Sequence, residues 1–182
     1  AFLAMPGEPD PHAVVAAARD AGKTAAAPLI VDGDLSFRVI AGGTDSLARD
    51  AWGIPQPDPS WPEWIPEPGP AHVLVVTPGL AFDAGMHRLG RGRGYYDRFL
   101  VRLRAVPGIW CTAIAFCLDE QIVDRVPHDA RDQRAEALVT SVAAALPSIE
   151  QVVDRVPHDG RDQRVDAIVT DRRTIGRDQP AT

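Results

Sequence analysis

The residues best suited to chemistry fall in one stretch of thirteen, Arg88-Leu-Gly-Arg-Gly-Arg-Gly-Tyr-Tyr-Asp-Arg-Phe-Leu100. Gly90, Gly92 and Gly94 alternate with Arg91 and Arg93, so the backbone can turn several N–H groups toward one point, and a helix starting behind them adds the positive end of its dipole. The pattern is that of a phosphate cradle. Arg88, Arg91, Arg93 and Arg98 crowd four positive charges around it in a chain of net charge -6. Asp97, in the first turn of the expected helix, can hold a hard cation that bridges phosphate oxygens. At that position it is expected to lie exposed, so that its loss costs activity rather than stability. The plainer alternative is a flexible loop of solvated arginines, which the strand before it and the helix after it disfavour.

Other spacings carry less. Gly22-Lys23-Thr24 invites a phosphate-loop reading, but that motif needs a glycine five residues before Gly22, and Ala17 stands there. Lys23 reads as a solvated residue at a helix end. His128 and His158 follow Pro127 and Pro157 and read as loop residues rather than a paired metal site; His12, His72 and His87 have no ligand spacing. No Gly-x-Ser-x-Gly elbow or Cys/His pairing supports a nucleophile. Cys111 and Cys117 are expected as buried thiols in a reducing cytosol.

Those residues need a scaffold, and 182 residues at 45% hydrophobic and 24% charged are enough for about one domain. Asp+Glu 25 against Lys+Arg 19 argues against a protein that grips nucleic acid. Apolar runs such as residues 73–76 are far too short to span a bilayer, and no basic-then-apolar signal opens the chain. A cytoplasmic monomer without a membrane or nucleic-acid partner is expected.

Asp10-Pro11 reads as a helix start, with Val14, Val15 and Ala18 on one face and Gly22 as the stop, giving a helix over residues 11–21. Residues 28–31 and 35–40 flank Asp32-Gly33-Asp34 as strands around a tight turn. Residues 45–52 are expected as a short helix. Seven prolines between Pro55 and Pro70 predict an extended surface loop without regular structure, long enough to suggest a functional role. The run over 72–77 has the character of a strand buried on both faces. Tyr96, Phe99, Leu100 and Leu103 share a helical face over residues 95–105, and 112–118 reads as the next buried strand. The alternation implies an α/β fold, a three-layer α/β/α domain around a mostly parallel central sheet.

The tail holds a repeat: residues 120–140 return as 150–170 with sixteen of twenty-one positions identical. Two copies are too few for a solenoid, so a duplicated terminal element is expected. Connectivity favours the first copy as part of a domain over residues 1–146, with 147–182 peripheral or poorly ordered. Asp132 then takes precedence over its counterpart Asp162.

Pro78-Gly-Leu-Ala-Phe-Asp83 followed by residues 88–100 closely resembles the signature of the 5-formyltetrahydrofolate cyclo-ligase (5,10-methenyltetrahydrofolate synthetase) family. Gly7-Glu8-Pro-Asp10, Gly22-Lys23 with Pro28, Gly53-Ile-Pro-Gln-Pro57, Ala115-Phe116, Gln121 and residues 165–170 extend the likeness. It differs in places: Met86 stands where the family has a glycine, with Gly85 one position early, Gln56 replaces a glutamate, and Arg131 or Arg161 replaces a histidine. The family's N-terminal basic helix is expected to be lacking before Phe2. The resemblance implies ATP- and magnesium-dependent closure of 5-formyltetrahydrofolate to 5,10-methenyltetrahydrofolate with release of ADP and phosphate, an activity of one-carbon metabolism. It further implies that Arg88, Leu89, Gly90, Arg91, Gly92, Arg93, Gly94, Tyr95 and Tyr96 wrap the triphosphate. Asp97 with Asp132 or Asp162 would hold magnesium. Leu3, Glu8, Arg91, Gly92, Arg93, Gly94 and Tyr95 would face the folate, and Arg88, Arg91 and Tyr95 would act on the reacting groups. A non-catalytic nucleotide- or polyanion-binding relative is the alternative, and an RNA-binding role for the Arg-Gly alternation is weak in an acidic chain.

Overall fold

A computed structural model describes residues 1–40, 47–50 and 53–135, and beyond them the backbone of three short strands. In chain order the elements are α1 (His12–Asp20), β1 (Ala26–Val31), β2 (Asp34–Val39), β3 (Ala48–Arg49), β4 (Pro55–Gln56), β5 (Ala71–Thr77), β6 (Ala81–Phe82), β7 (Arg88–Leu89), α2 (Tyr95–Arg104), β8 (Ile109–Phe116), a 3-10 turn (Asp119–Gln121), β9 (Ala137–Val139), β10 (Ala167–Val169) and β11 (Thr174–Gly176).

Alternation along two apolar strands builds the layers. β5 and β8 pair in parallel from Ala71 opposite Ile109 to Thr77 opposite Ala115, and successive side chains point to opposite faces. On one face Val76, Ile114 and Phe116 pack on Phe2 and on Val14 of α1. On the other, Val75 and Ala113 pack on Phe99, Leu100 and Leu103 of α2 and on Phe37 of β2. The result is the α/β/α sandwich that the alternation of strand and helix predicts. The sheet order is β11-β10-β9-β8-β5, parallel except between β10 and β11. Among the described residues β5 lies at the edge of this sheet, and it is buried only toward its C-terminal end rather than covered throughout.

Local signals place α1 well. The N–H of His12 donates to Asp10 Oδ1 at 2.9 Å, while the helix starts one residue later than expected, with Pro11 as N-cap. Its end is closed by Gly22 N–H donating to Arg19 O and Lys23 N–H to Ala18 O, at 2.8 and 2.9 Å. This is a Schellman closure, so Gly22-Lys23 terminates α1. β1 and β2 form the expected hairpin, Val31 opposite Asp34 around a two-residue turn.

Three expectations need correction. Ala48–Arg49 is a strand antiparallel to Pro55–Gln56, so the expected helix is contradicted at its described residues, and residues 45, 46, 51 and 52 lie outside them. The proline-rich stretch therefore begins in a strand. It then runs as a strap along β2, where Val39 N–H donates to Pro62 O and Trp64 N–H to Phe37 O, both at 2.8 Å, and Arg38 pairs with Glu63 at 3.3 Å. Cys117 is buried, as expected, but Cys111 is only half-buried.

Of the tail, β9 pairs in parallel with β8 and β10 in parallel with β9. Asp162 and the remainder of residues 140–166 lie outside the described residues. No helix among the described residues is long and apolar enough to cross a membrane.

Candidate functional site

Gly94 sits at the N-cap of α2 with φ +63, and Gly92 precedes it at φ +79, so the chain enters the helix through two left-handed residues. No side chain caps this helix, and its first backbone bond is Arg98 N–H to Gly94 O at 3.1 Å. The N–H groups of Tyr95, Tyr96 and Asp97 thus have no intrahelical acceptor and are available to an anion. Arg88 and Leu89, at the start of the segment, form a short strand paired with Phe82 and Ala81, and the bend follows after Gly90.

Arg88 and Asp97 form the centre of the site. Arg88 Nη2 donates to Asp97 Oδ1 at 2.8 Å, with the arginine side chain 6% exposed and the carboxylate 21%. The guanidinium also lies 5.6 Å from the ring centroid of Tyr96. Asp97 is therefore not the exposed carboxylate that a first-turn position predicts; it compensates a buried charge. The Tyr96 hydroxyl is buried without a partner among the described residues, and burial raises its phenol well above the ordinary range, against the pull of Arg88.

Two distant segments reach this centre. Glu8 lies 3.7 Å from Arg91 and accepts the Met5 N–H at 3.1 Å, which brings the N-terminal loop against the glycine segment. From the tail, Gln133 N–H donates to Asp97 Oδ1 at 3.1 Å, so the neighbouring Asp132 is carried to the start of α2. Asp132 Oδ2 accepts the Asp129 N–H. Arg91 is 62% exposed. Arg93 and Leu89 are exposed as well, Arg93 lending its carbonyl to Arg98 Nη1 at 2.8 Å. Arg98 lies 5.3 Å from the ring centroid of Tyr95 and 3.6 Å from Asp34, so it braces the helix start against the β1–β2 hairpin. Leu3 stands apart, packed with Val15, Ala27 and Ile40.

Among the described residues no three His, Cys, Asp or Glu side chains cluster to hold a cation. Both described contacts of Asp97 fall on Oδ1, so Oδ2 remains as a hard donor. Asp132 is the sequence neighbour of Gln133, and carboxylates such as these two are of the type that takes a magnesium ion arriving on phosphate oxygens, since magnesium commonly takes one or two carboxylates and substrate oxygens. A cavity of about 600 Å³ lies elsewhere, between α1 and the edge of β5, lined by Val14, Ala18, His72 and Leu74 among others.

Sequence reasoning assigned no site role to Asp83 and set His87 and His128 aside as loop residues or as lacking ligand spacing. Asp83 is 4% exposed, and the His87 and His128 rings stack with centroids 3.5 Å apart and planes 9° apart. No spacing rule pairs residues forty-one apart, but an aspartate directly after the apolar Leu80-Ala-Phe82 run was a signal of a buried, bonded carboxylate. Cys117 can be set aside: burial pushes its thiol up to about 12.

The arrangement can bind a phosphate chain at a helix start and hold a carboxylate-bearing loop beside it. Comparison with known proteins gives the family of the chain. A probable 5-formyltetrahydrofolate cyclo-ligase of Schizosaccharomyces pombe is 33% identical over 108 residues, 53% of this chain and 50% of the relative. A probable 5-formyltetrahydrofolate cyclo-ligase of Caenorhabditis elegans is 29% identical over 145 residues, 76% of this chain and 69% of the relative. The chain thus spans half the length of the fission-yeast relative. The NMR structure of the 5,10-methenyltetrahydrofolate synthetase of Aquifex aeolicus shares the fold, with a TM-score of 0.56 at 22% identity, covering 100% of this chain and 72% of that one. The 5-formyltetrahydrofolate cyclo-ligase family profile matches residues 1–141, a span that takes in Glu8, the glycine segment, Asp97 and Asp132, and the chain belongs to that family.

Proposed function

We propose that the chain closes 5-formyltetrahydrofolate to 5,10-methenyltetrahydrofolate at the expense of ATP, releasing ADP and phosphate. The observation that carries the reading is the convergence at one uncapped helix start of Arg88 paired with Asp97, Arg91 paired with Glu8, and the tail at Gln133. Family membership supports the substrate and the nucleotide.

The chemical obstacle is that an amide-like formyl carbon is a poor electrophile and its oxygen a poor leaving group. Transfer of the γ-phosphoryl group to the formyl oxygen removes both difficulties: N10 attacks the activated carbon, loses its proton, and phosphate departs with the former formyl oxygen. The protein's task is then chiefly positioning and charge neutralisation. In this reading residues 90–94 and the free N–H groups of α2 hold the triphosphate, and Arg91 swings from Glu8 to the phosphoryl group in transit. Arg88 fixes Asp97, and Tyr95 borders the reacting groups beside Arg98. Glu8, once released, accepts pterin N–H groups bidentately. Magnesium held by Asp97 and Asp132 would supply charge to the phosphate oxygens. Leu3 has no part in this arrangement except through the packing of the N-terminal loop.

A non-catalytic nucleotide-binding relative is the second reading. What favours it is Met86, which carries φ +65 two residues before Arg88, where the family signature has a glycine. Phosphate release separates the two. The proposed enzyme releases phosphate from ATP only when 5-formyltetrahydrofolate is added; a binding module releases none under either condition.

A further inference from the structure

Asp83 does not face the glycine segment, yet it joins the two pieces of backbone that carry the site. Its Oδ1 accepts the His87 N–H at 3.1 Å, and its Oδ2 accepts the Val126 N–H at 2.8 Å. The His87 Nδ1 lies 3.0 and 3.1 Å from the two oxygens. His87 immediately precedes Arg88, and Val126 begins the stretch that leads to Asp132. Around this carboxylate the tail binds the β6–β7 turn twice more, Val123 N–H to Phe82 O at 2.8 Å and Ala135 N–H to Met86 O at 3.1 Å. His128 adds its ring to the face of His87.

We infer that Asp83 is a positioning residue: by bonding His87 and Val126 at once, it sets the tail stretch 126–133 against the strand of Arg88, and so sets Asp132 relative to Asp97. The inference rests on the nucleotide-and-folate reading above. A buried carboxylate suits this task because it accepts from several N–H donors with both oxygens and is held by each. The contacts described for Glu8 and Arg91 do not pass through it. Its loss should therefore act on the nucleotide and metal side of the site and spare the folate side.

Asp83→Asn is the test, since the amide keeps the volume but has one acceptor oxygen and turns an NH2 group toward an N–H donor. Kinetics are run on the full chain well below the variant's melting temperature. The expected result is an increase of about tenfold or more in the magnesium and ATP concentrations needed for half-maximal rate, with the KM for 5-formyltetrahydrofolate unchanged. A lowered melting temperature with all three constants at parent values would overturn the inference, because Asp83 would then be only structural. If the parent chain makes no 5,10-methenyltetrahydrofolate, the functional reading fails. The inference is then decided by direct titration with magnesium-ATP, where weaker binding by the variant supports it and equal binding overturns it. Should Asp83→Asn not fold, His87→Ala keeps the backbone bond and removes the ring. A smaller shift in the same direction is expected, and no shift in any constant overturns the inference.

Discussion

Arg88 and Asp97 depend on each other, which changes what a substitution at either should do. Asp97→Ala leaves a guanidinium of 6% exposure without its carboxylate, and the cost in stability is expected to be about 2 kcal/mol, partly relieved by the Tyr96 ring. Chemical denaturation reads this directly, and an unchanged midpoint would show that the pair contributes nothing. A second effect at this scale concerns acid. Burial works against the charge of Asp83, but the Val126 and His87 N–H groups and the His87 ring outweigh it and hold its carboxyl below 3.8. A depressed carboxyl contributes stability that is complete above about 3.8 and disappears as pH falls through the lower folded value. Below about pH 4 the parent should therefore lose more stability than Asp83→Asn, which has no carboxyl at this position to protonate. Parallel losses would contradict this.

The elements were legible where a local signal coincided with burial. Phe99, Leu100 and Leu103 share one helical face in the sequence and one cluster in the fold, and Asp32-Gly33 set the β1–β2 register. The helix expected over residues 45–52 failed because Ala48–Arg49 finds a partner at Pro55–Gln56, a pairing that propensity does not register. The loop reading of 55–70 missed the bonds to β2 for the same reason: they depend on a strand edge distant in sequence. In the site, the glycine segment was legible because glycine alternation states a backbone requirement. The Asp83 cluster was not, because two of its pairings span the chain: Asp83 with Val126, 43 residues on, and His87 with His128, 41 residues on. Gly94→Ala tests the requirement at the helix entry. A Cβ there meets φ +63 and stands 3.3 Å from Arg98 Nη1, so a loss of about 1–2 kcal/mol is expected, together with weaker nucleotide binding. A variant with parent stability would show that the left-handed entry is not needed.

At the scale of the chain, the duplicated tail asks which copy the domain needs. Gln121 donates to Gly79 O at 2.8 Å, Arg104 to Gln133 Oε1 at 2.8 Å, and Val126 and Ala135 are buried. β10 of the second copy and β11 after it extend the sheet beyond β9, but the buried contacts named here belong to the first copy, so deletion of residues 147–182 is expected to leave a cooperative unfolding transition, and deletion of 120–149 to abolish it. The reverse outcome would transfer the proposed magnesium-side role from Asp132 to Asp162. The folate reaction itself is tested most directly by following one oxygen atom. The chain is given ATP, magnesium and 5-formyltetrahydrofolate labelled with heavy oxygen in the formyl group, and the released phosphate is examined by mass. Phosphoryl transfer to the formyl oxygen predicts 5,10-methenyltetrahydrofolate and phosphate in equal amounts, with the label in the phosphate. Label appearing in water, or no product beside bound nucleotide, would contradict it.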